Sequence, residues 1–157
     1  IFTALVRTLI GLVPAILLTS PLFGVSILNL GFPLLALFLS FYIFGITLGL
    51  FVSAGLMRFG PSFENIAWSS LFLLAPLGCI YYPIEILPNF FQIIAKGLPL
   101  VYIFDETRNI LLNGFIDYEN LKQAYFLNLV YLALGIFLFY FSFLKARIKG
   151  TLINMGE

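Results

Sequence analysis

Four long apolar windows are the feature that most limits how this chain can fold. They lie at residues 9–30, 32–57, 66–82 and 124–144. Each is mostly apolar over the roughly 17–25 residues that a helix needs to cross a bilayer. None contains an ionisable side chain other than tyrosine or Cys79. Because alternating strand patterns are missing, the sequence predicts an all-α membrane helix bundle, with four spans in one domain over residues 1–157.

Composition excludes several classes of protein. The chain is 62% hydrophobic and 10% charged, and its mean hydropathy is +1.10. A soluble domain of this length could not bury so much apolar surface, so membrane lipid must be the solvent for much of it. The net charge of +1 gives no basic stripe for nucleic acid. Histidine is absent, which excludes imidazole metal sites and Ser-His-Asp triads within the chain.

The basic residues predict an orientation. Arg7 precedes the first window, Arg58 closes the second, and the fourth is followed by Lys145, Arg147 and Lys149. With four crossings these positions share one face, which the positive-inside rule makes cytoplasmic. The connection at residues 83–121 then lies outside, and it carries five of the seven acidic residues.

Glycine and proline divide this outer connection. Pro88 suits the start of a short helix over "NFFQIIAK", which Gly97 ends. A second helix is predicted from Leu100 to Leu112, stopped by Asn113–Gly114, and Asp117 is the predicted N-cap of the last span. The first short helix is too apolar to lie in water. We therefore expect a re-entrant pair of short helices at the outer leaflet.

The order of features in this region resembles a known family. Residues 78–114, "GCIYYPIEILPNFFQIIAKGLPLVYIFDETRNILLNG", resemble the C-terminal signature of the type-2 ABC exporter permeases. The matching positions are Gly78, Tyr82, Pro83, Leu87, Pro88, Pro99, Leu100, Tyr102, Asp105, Arg108 and Gly114. The resemblance extends from about residue 7 to residue 149, and the segment 78–114 carries nearly all of its specificity.

The resemblance implies a function and partners. Permeases of this family have six spans, so two would precede Ile1 and the chain is expected to be N-terminally truncated. The family moves amphipathic, lipid-linked, polysaccharide or drug-like substrates outward across the bacterial inner membrane, with the C-terminus cytoplasmic. A second permease chain completes the pathway. ATP and magnesium would bind a separate ATPase subunit or domain, since this chain has no Walker A pattern and is expected to be neither an enzyme nor a cofactor binder.

Individual residues admit two interpretations each. Asp105 and Arg108 are spaced for one helix face, either as a structural pair or as an ion pair that holds an outer gate shut. Glu64 would stabilise the start of a helix through the helix dipole, and the alternative is that Glu64, together with Arg58, contacts the ATPase on the cytoplasmic side.

Two other classes of function stay open. A secondary transporter or channel without an ATPase partner is possible, but such proteins place ionisable groups at mid-membrane and these windows have none. A membrane-embedded enzyme would need a metal site or an acid/base pair in the bilayer, which this composition makes difficult to build.

Overall fold

The computed structural model of the chain describes residues 32–114 and 116–149. It also describes positions 3, 6, 7, 10, 11, 13, 14, 17 and 18, each of which is helical. The chain forms two compact units, residues 1–39 and 40–157, whose boundary falls inside the first long helix. The predicted first span, residues 9–30, lies largely outside the described residues.

Between residues 32 and 149 the described chain is helical, as the sequence predicts. The helices are α1 (Phe32–Phe59), α2 (Phe63–Leu77), α3 (Asn89–Ala95), α4 (Pro99–Asn113) and α5 (Tyr118–Lys149). A 3-10 turn at Ile84–Ile86 stands between α2 and α3.

Glycine and proline set the helix ends. The N–H of Gly60, which has a φ of 79°, donates to the carbonyl of Leu56 at 2.8 Å, and Pro61 prevents α1 from continuing. Gly114 closes α4 in the same left-handed conformation, with a φ of 75°. At the start of α5 the Asp117 carboxylate accepts the N–H of Glu119 at 2.9 Å, so its predicted capping role is confirmed.

Two of the described helices are long and apolar enough to cross a membrane. The candidate spans are Leu35–Phe59 in α1 and Tyr118–Ile148 in α5. Only 22% and 17% of their apolar windows are buried, so most of this hydrocarbon surface points outward. A helix of this length whose apolar side chains are mostly exposed is typical of contact with lipid rather than water. The chain is a membrane-associated protein.

The predicted architecture of four spans with a re-entrant pair is wrong. Of the windows within the described residues, 32–57 and 124–144 correspond to α1 and α5, but 66–82 does not form a spanning helix. Helix α2 has 15 residues, or roughly 22 Å of length, whereas the hydrocarbon core is roughly 30 Å thick. Pro76 lies in its last turn, and the helix has ended by Gly78.

The outer segment also differs from the expected pair. Its two short helices exist close to the predicted bounds, but they are unequal in length and role. Helix α3 has seven residues, whereas α4 has 15 and packs antiparallel against the first part of α5. The neighbour of α4 is thus the last long helix rather than a matching short helix.

The two long helices run parallel over the residues that they share within the second unit. The Asn128 amide donates to the Ser40 hydroxyl at 2.8 Å and to the Ser40 carbonyl at 2.9 Å. Seven residues further along each helix, Gly135 lies against Thr47. Close to both C-terminal ends, Arg58 and Lys145 line one cavity. Residue numbers in these contacts increase together along α1 and α5, so the two helices run in the same direction. Their basic C-terminal ends therefore lie side by side.

Helix α2 returns alongside α1. The rings of Phe59 and Phe63 stack at 5.7 Å across the turn, and Leu74 shares an apolar cavity of about 170 Å³ with Phe44. Because α2 runs antiparallel to α1, its C-terminal end at Leu77 lies away from the basic end of the long helices. The segment that follows Leu77 therefore begins near the region where α4 packs against α5.

Candidate functional site

Residues 78–114, which we call the cap segment, share one apolar cluster. Its buried centre consists of Cys79, Ala95 and Val101, and four partly buried side chains pack around it: Tyr82, Ile84, Leu87 and Leu98. Residues from the loop after α2, from α3 and from α4 thus share one core. Apolar contacts between segments so far apart in sequence hold the loop against α4.

Gly78 lies close to Leu74 and Leu100, with no space for a side chain. A Cβ atom on Gly78 would lie 2.9 Å from the Leu100 Cδ1 atom and 2.8 Å from the Leu74 carbonyl oxygen. Both distances are too short for a methyl group. The glycine at this matched position is therefore required because the loop and α4 leave no room for a side chain.

Arg108 joins the two ends of the cap segment. Its Nη1 donates to the Cys79 carbonyl at 2.8 Å, across 29 residues of sequence. Its Nη2 lies 3.4 Å from the Asp105 carboxylate, in a pair whose side chains are 26% and 41% exposed. This long, partly solvated pair is the weaker of the two contacts. The main structural partner of Arg108 is thus a backbone carbonyl that sequence reasoning did not identify.

The tyrosines at matched positions close two bends. The Tyr82 hydroxyl donates to the Pro76 carbonyl at 2.8 Å. The Tyr102 hydroxyl donates to the Lys96 carbonyl at 3.0 Å. Each carbonyl oxygen accepts this hydrogen bond near the C-terminal end of a helix, where intrahelical donors run out. Each phenol therefore holds a neighbouring helix end in place.

The prolines at matched positions precede or begin helical turns. Pro83 is the N-cap of the 3-10 turn, and Pro88 is the N-cap of α3. Pro99 is the first residue of α4 and is buried. Leu87, just before Pro88, offers its carbonyl to the Gln92 side chain at 2.7 Å. Fixed proline φ angles and a missing N–H suit these positions, so the prolines define where the cap segment bends.

Glu106 is the residue that sequence reasoning missed. Its side chain is fully buried, with 0% exposure. Its two carboxylate oxygens accept the Asp117 backbone N–H at 2.8 Å and the Asn120 amide at 3.4 Å. The carboxylate therefore sits at the N-terminus of α5, where the helix dipole favours negative charge. The spacing of Ile103, Glu106 and Ile110 on one helix face was the available signal, because it puts a carboxylate at a core position.

Arg58 and Glu64, the two residues expected to face an ATPase, lie outside the cap segment, at the turn between α1 and α2. Arg58 is exposed at the end of α1, with its guanidinium carbon 5.5 Å from the centre of the Phe59 ring. Glu64 is exposed in the first turn of α2. In the described part of the chain no ion pair joins them, and both border the turn at residues 60–62.

Cys79 is held in an unusual conformation. Its φ is 53°, in the left-handed region, and its side chain is fully buried. Burial raises the pKa of the Cys79 thiol, and the nearby Arg108 guanidinium opposes that rise only partly. A buried thiol with a raised pKa is a packing group and a poor nucleophile.

We expect slow alkylation of Cys79. N-ethylmaleimide should label the native protein in detergent at least about tenfold more slowly than the denatured chain, because the thiol is buried and protonated. The folded state holds the thiol proton more tightly than the unfolded chain, so stability should fall as the pH rises above the ordinary value of 9.0. Glu85→Cys supplies an exposed thiol in the same protein as a control. Equal labelling rates at the two thiols would contradict the burial of Cys79.

The contacts of the cap segment link three parts of the chain: the loop after α2, helix α4 and the start of α5. Among the described residues, no group of three or more His, Cys, Asp or Glu side chains could hold a metal ion. Comparison of the chain with protein-family models, with curated proteins and with solved structures finds no match. Within the cap segment, Arg108 joins α4 to the loop after α2, and Glu106 joins the cap segment to the start of α5.

Proposed function

We propose that this chain is a transmembrane permease subunit of an ATP-driven exporter of the type-2 ABC class. The observation that carries the proposal is the contact between Arg108 and Cys79, which joins the two ends of the signature segment in one folded unit. If the sequence likeness arose by chance, the matched residues would not be expected to stabilise the same segment. Here the matched arginine and tyrosines make hydrogen bonds, Gly78 leaves room for Leu100, and the prolines precede or begin helical turns.

The cap segment and α5 form the mechanical part of the proposed mechanism. Arg108 and Glu106 anchor α4 at two points, so a tilt of α5 would move the cap segment with it. ATP and magnesium bind the partner ATPase, whose closure supplies the force for such a tilt. The permease contributes a bundle with two arrangements, inward-open and outward-open, and performs no chemistry of its own.

The proposed orientation follows from the parallel pair of long helices. Arg58 lies at the end of α1, and Lys145 and Arg147 lie in the last turns of α5, on the same side of the pair. The positive-inside rule favours the cytoplasm for this side, and therefore a cytoplasmic C-terminus in a bacterial inner membrane. Arg58 and Glu64 then border the surface that would meet the ATPase. A second permease chain completes the pathway.

Co-purification tests the proposal. The tagged protein, extracted from its native membranes in mild detergent, should retain an ATPase subunit that mass spectrometry identifies. The complex should show vanadate-sensitive ATP hydrolysis. Glu64→Lys should reduce retention of the ATPase, whereas Glu85→Lys, an equal charge change in the cap segment, should leave it unchanged. A folded homo-oligomer without ATPase or hydrolysis would reject the exporter and favour a channel.

A further inference from the structure

A cavity opens between the basic ends of the two long helices. It has a volume of about 270 Å³, whereas a cavity of roughly 10–15 Å³ is enough to hold one water. The cavity can thus hold a group much larger than water. The lining comes from the last turns of α1 and from the C-terminal part of α5, and it consists of Met57, Arg58, Leu138, Phe141, Ser142, Lys145 and Ala146.

The polar part of this lining is cationic. Arg58 and Lys145 are both exposed, and no carboxylate in the described part of the chain lies within 4.0 Å of either one. Ser142, which is partly buried, adds a hydroxyl to the same lining. Two cations that no described carboxylate pairs, together with a hydroxyl, are a set of donors suited to phosphate oxygens.

The rest of the lining is apolar and continues into the membrane-facing surface. Leu138 and Phe141 are 43% and 48% exposed on a helix that is long enough to span the bilayer. The cavity therefore has a charged rim where the spans end and a hydrocarbon wall toward the bilayer. A free phosphate ion would use the rim alone, whereas an amphiphile with an anionic head would use both parts.

We propose that this cavity binds the head group of an anionic phospholipid. The phosphodiester contacts Arg58, Lys145 and the Ser142 hydroxyl, and the first part of an acyl chain lies along Leu138 and Phe141. The bound lipid bridges α1 and α5 at their C-terminal ends. This inference depends on the membrane location of the helices and does not depend on the exporter proposal.

Native mass spectrometry on the complete protein tests the site. The protein is loaded in micelles with phosphatidylglycerol or with phosphatidylcholine, and the retained lipid is counted. We expect one phosphatidylglycerol to be retained preferentially. In the double variant Arg58→Gln/Lys145→Gln its affinity should fall roughly 30-fold, about fivefold for each cation removed. Because both side chains are exposed, the variant is expected to fold, and circular dichroism checks this.

Three outcomes would overturn the proposal. Equal retention of the two lipids by the wild-type protein would reject a head-group site, whatever the variants do. An equal loss of affinity in the control Lys96→Gln/Arg147→Gln, which removes two cations outside the cavity, would show diffuse attraction instead of a site. Displacement of the lipid by millimolar inorganic phosphate alone would assign the cavity to free phosphate.

Discussion

Replacing Glu106 with alanine should lower the free energy of unfolding by about 2–4 kcal/mol. The variant removes a buried carboxylate that accepts the Asp117 N–H and the Asn120 amide at a partly buried position, and with it a negative charge at the N-terminus of α5. Lost hydrogen bonds to a charged group cost about 1.5–3 kcal/mol, and the helix dipole adds up to about 1 kcal/mol. Equilibrium unfolding in mixed micelles, followed by circular dichroism, measures the loss.

Two variants separate this contact from a general charge effect. Glu106→Gln keeps the shape and one acceptor oxygen, so its loss should be about half that of the alanine variant. Glu119→Gln removes an exposed carboxylate from the first turn of the same helix, together with its surface ion pair to Lys122, and should destabilise the protein far less than Glu106→Ala does. If Glu106→Ala were as stable as Glu119→Gln, the carboxylate would not be anchoring α5.

Replacing Gly78 with alanine is the second large effect. We expect a loss of about 1–3 kcal/mol, the usual cost of forcing a methyl group into a filled core. The added Cβ would lie 2.8 Å from the Leu74 carbonyl oxygen, a backbone atom that cannot rotate away. The loop after α2 would have to move away from α4, which would also lengthen the contact between Arg108 and Cys79.

Gly49→Ala is the matched control for this effect. A Cβ at Gly49 would meet no atom within 4 Å, and alanine is the better helix former, so no loss of stability is expected. The same unfolding measurement, repeated with Arg108→Ala in both backgrounds, shows whether the loop has moved. A Gly78→Ala variant as stable as Gly49→Ala would mean that the cap segment is looser than its geometry indicates.

Local signals in the sequence were sufficient for the helix ends. Gly60–Pro61, Pro99 and Gly114 act through backbone conformation and the missing proline N–H, which depend on the residue itself. The positions of α3 and α4 and the capping by Asp117 could therefore be predicted without tertiary information.

Apolar content alone was not sufficient for the spans. The window at residues 66–82 is as apolar as a membrane helix, yet α2 ends at Leu77 and leaves only roughly 22 Å of helix. Hydropathy counts residues that prefer lipid, whereas crossing a bilayer in one helix also requires unbroken helical length. Pro76 and Gly78 interrupt that length, and the hydropathy of the window does not register the interruption.

The sequence by itself determined the membrane association, the all-α class and the positions of the turns in the cap segment. Each of these depends on composition or on the backbone preferences of single residues. Only the tertiary structure decided that α1 and α5 run parallel, that Arg108 bonds to the Cys79 carbonyl and that Glu106 anchors α5. These contacts join residues that are 88, 29 and 11 positions apart. Local sequence patterns do not show which distant residues pair, because those contacts form only when the helices pack together.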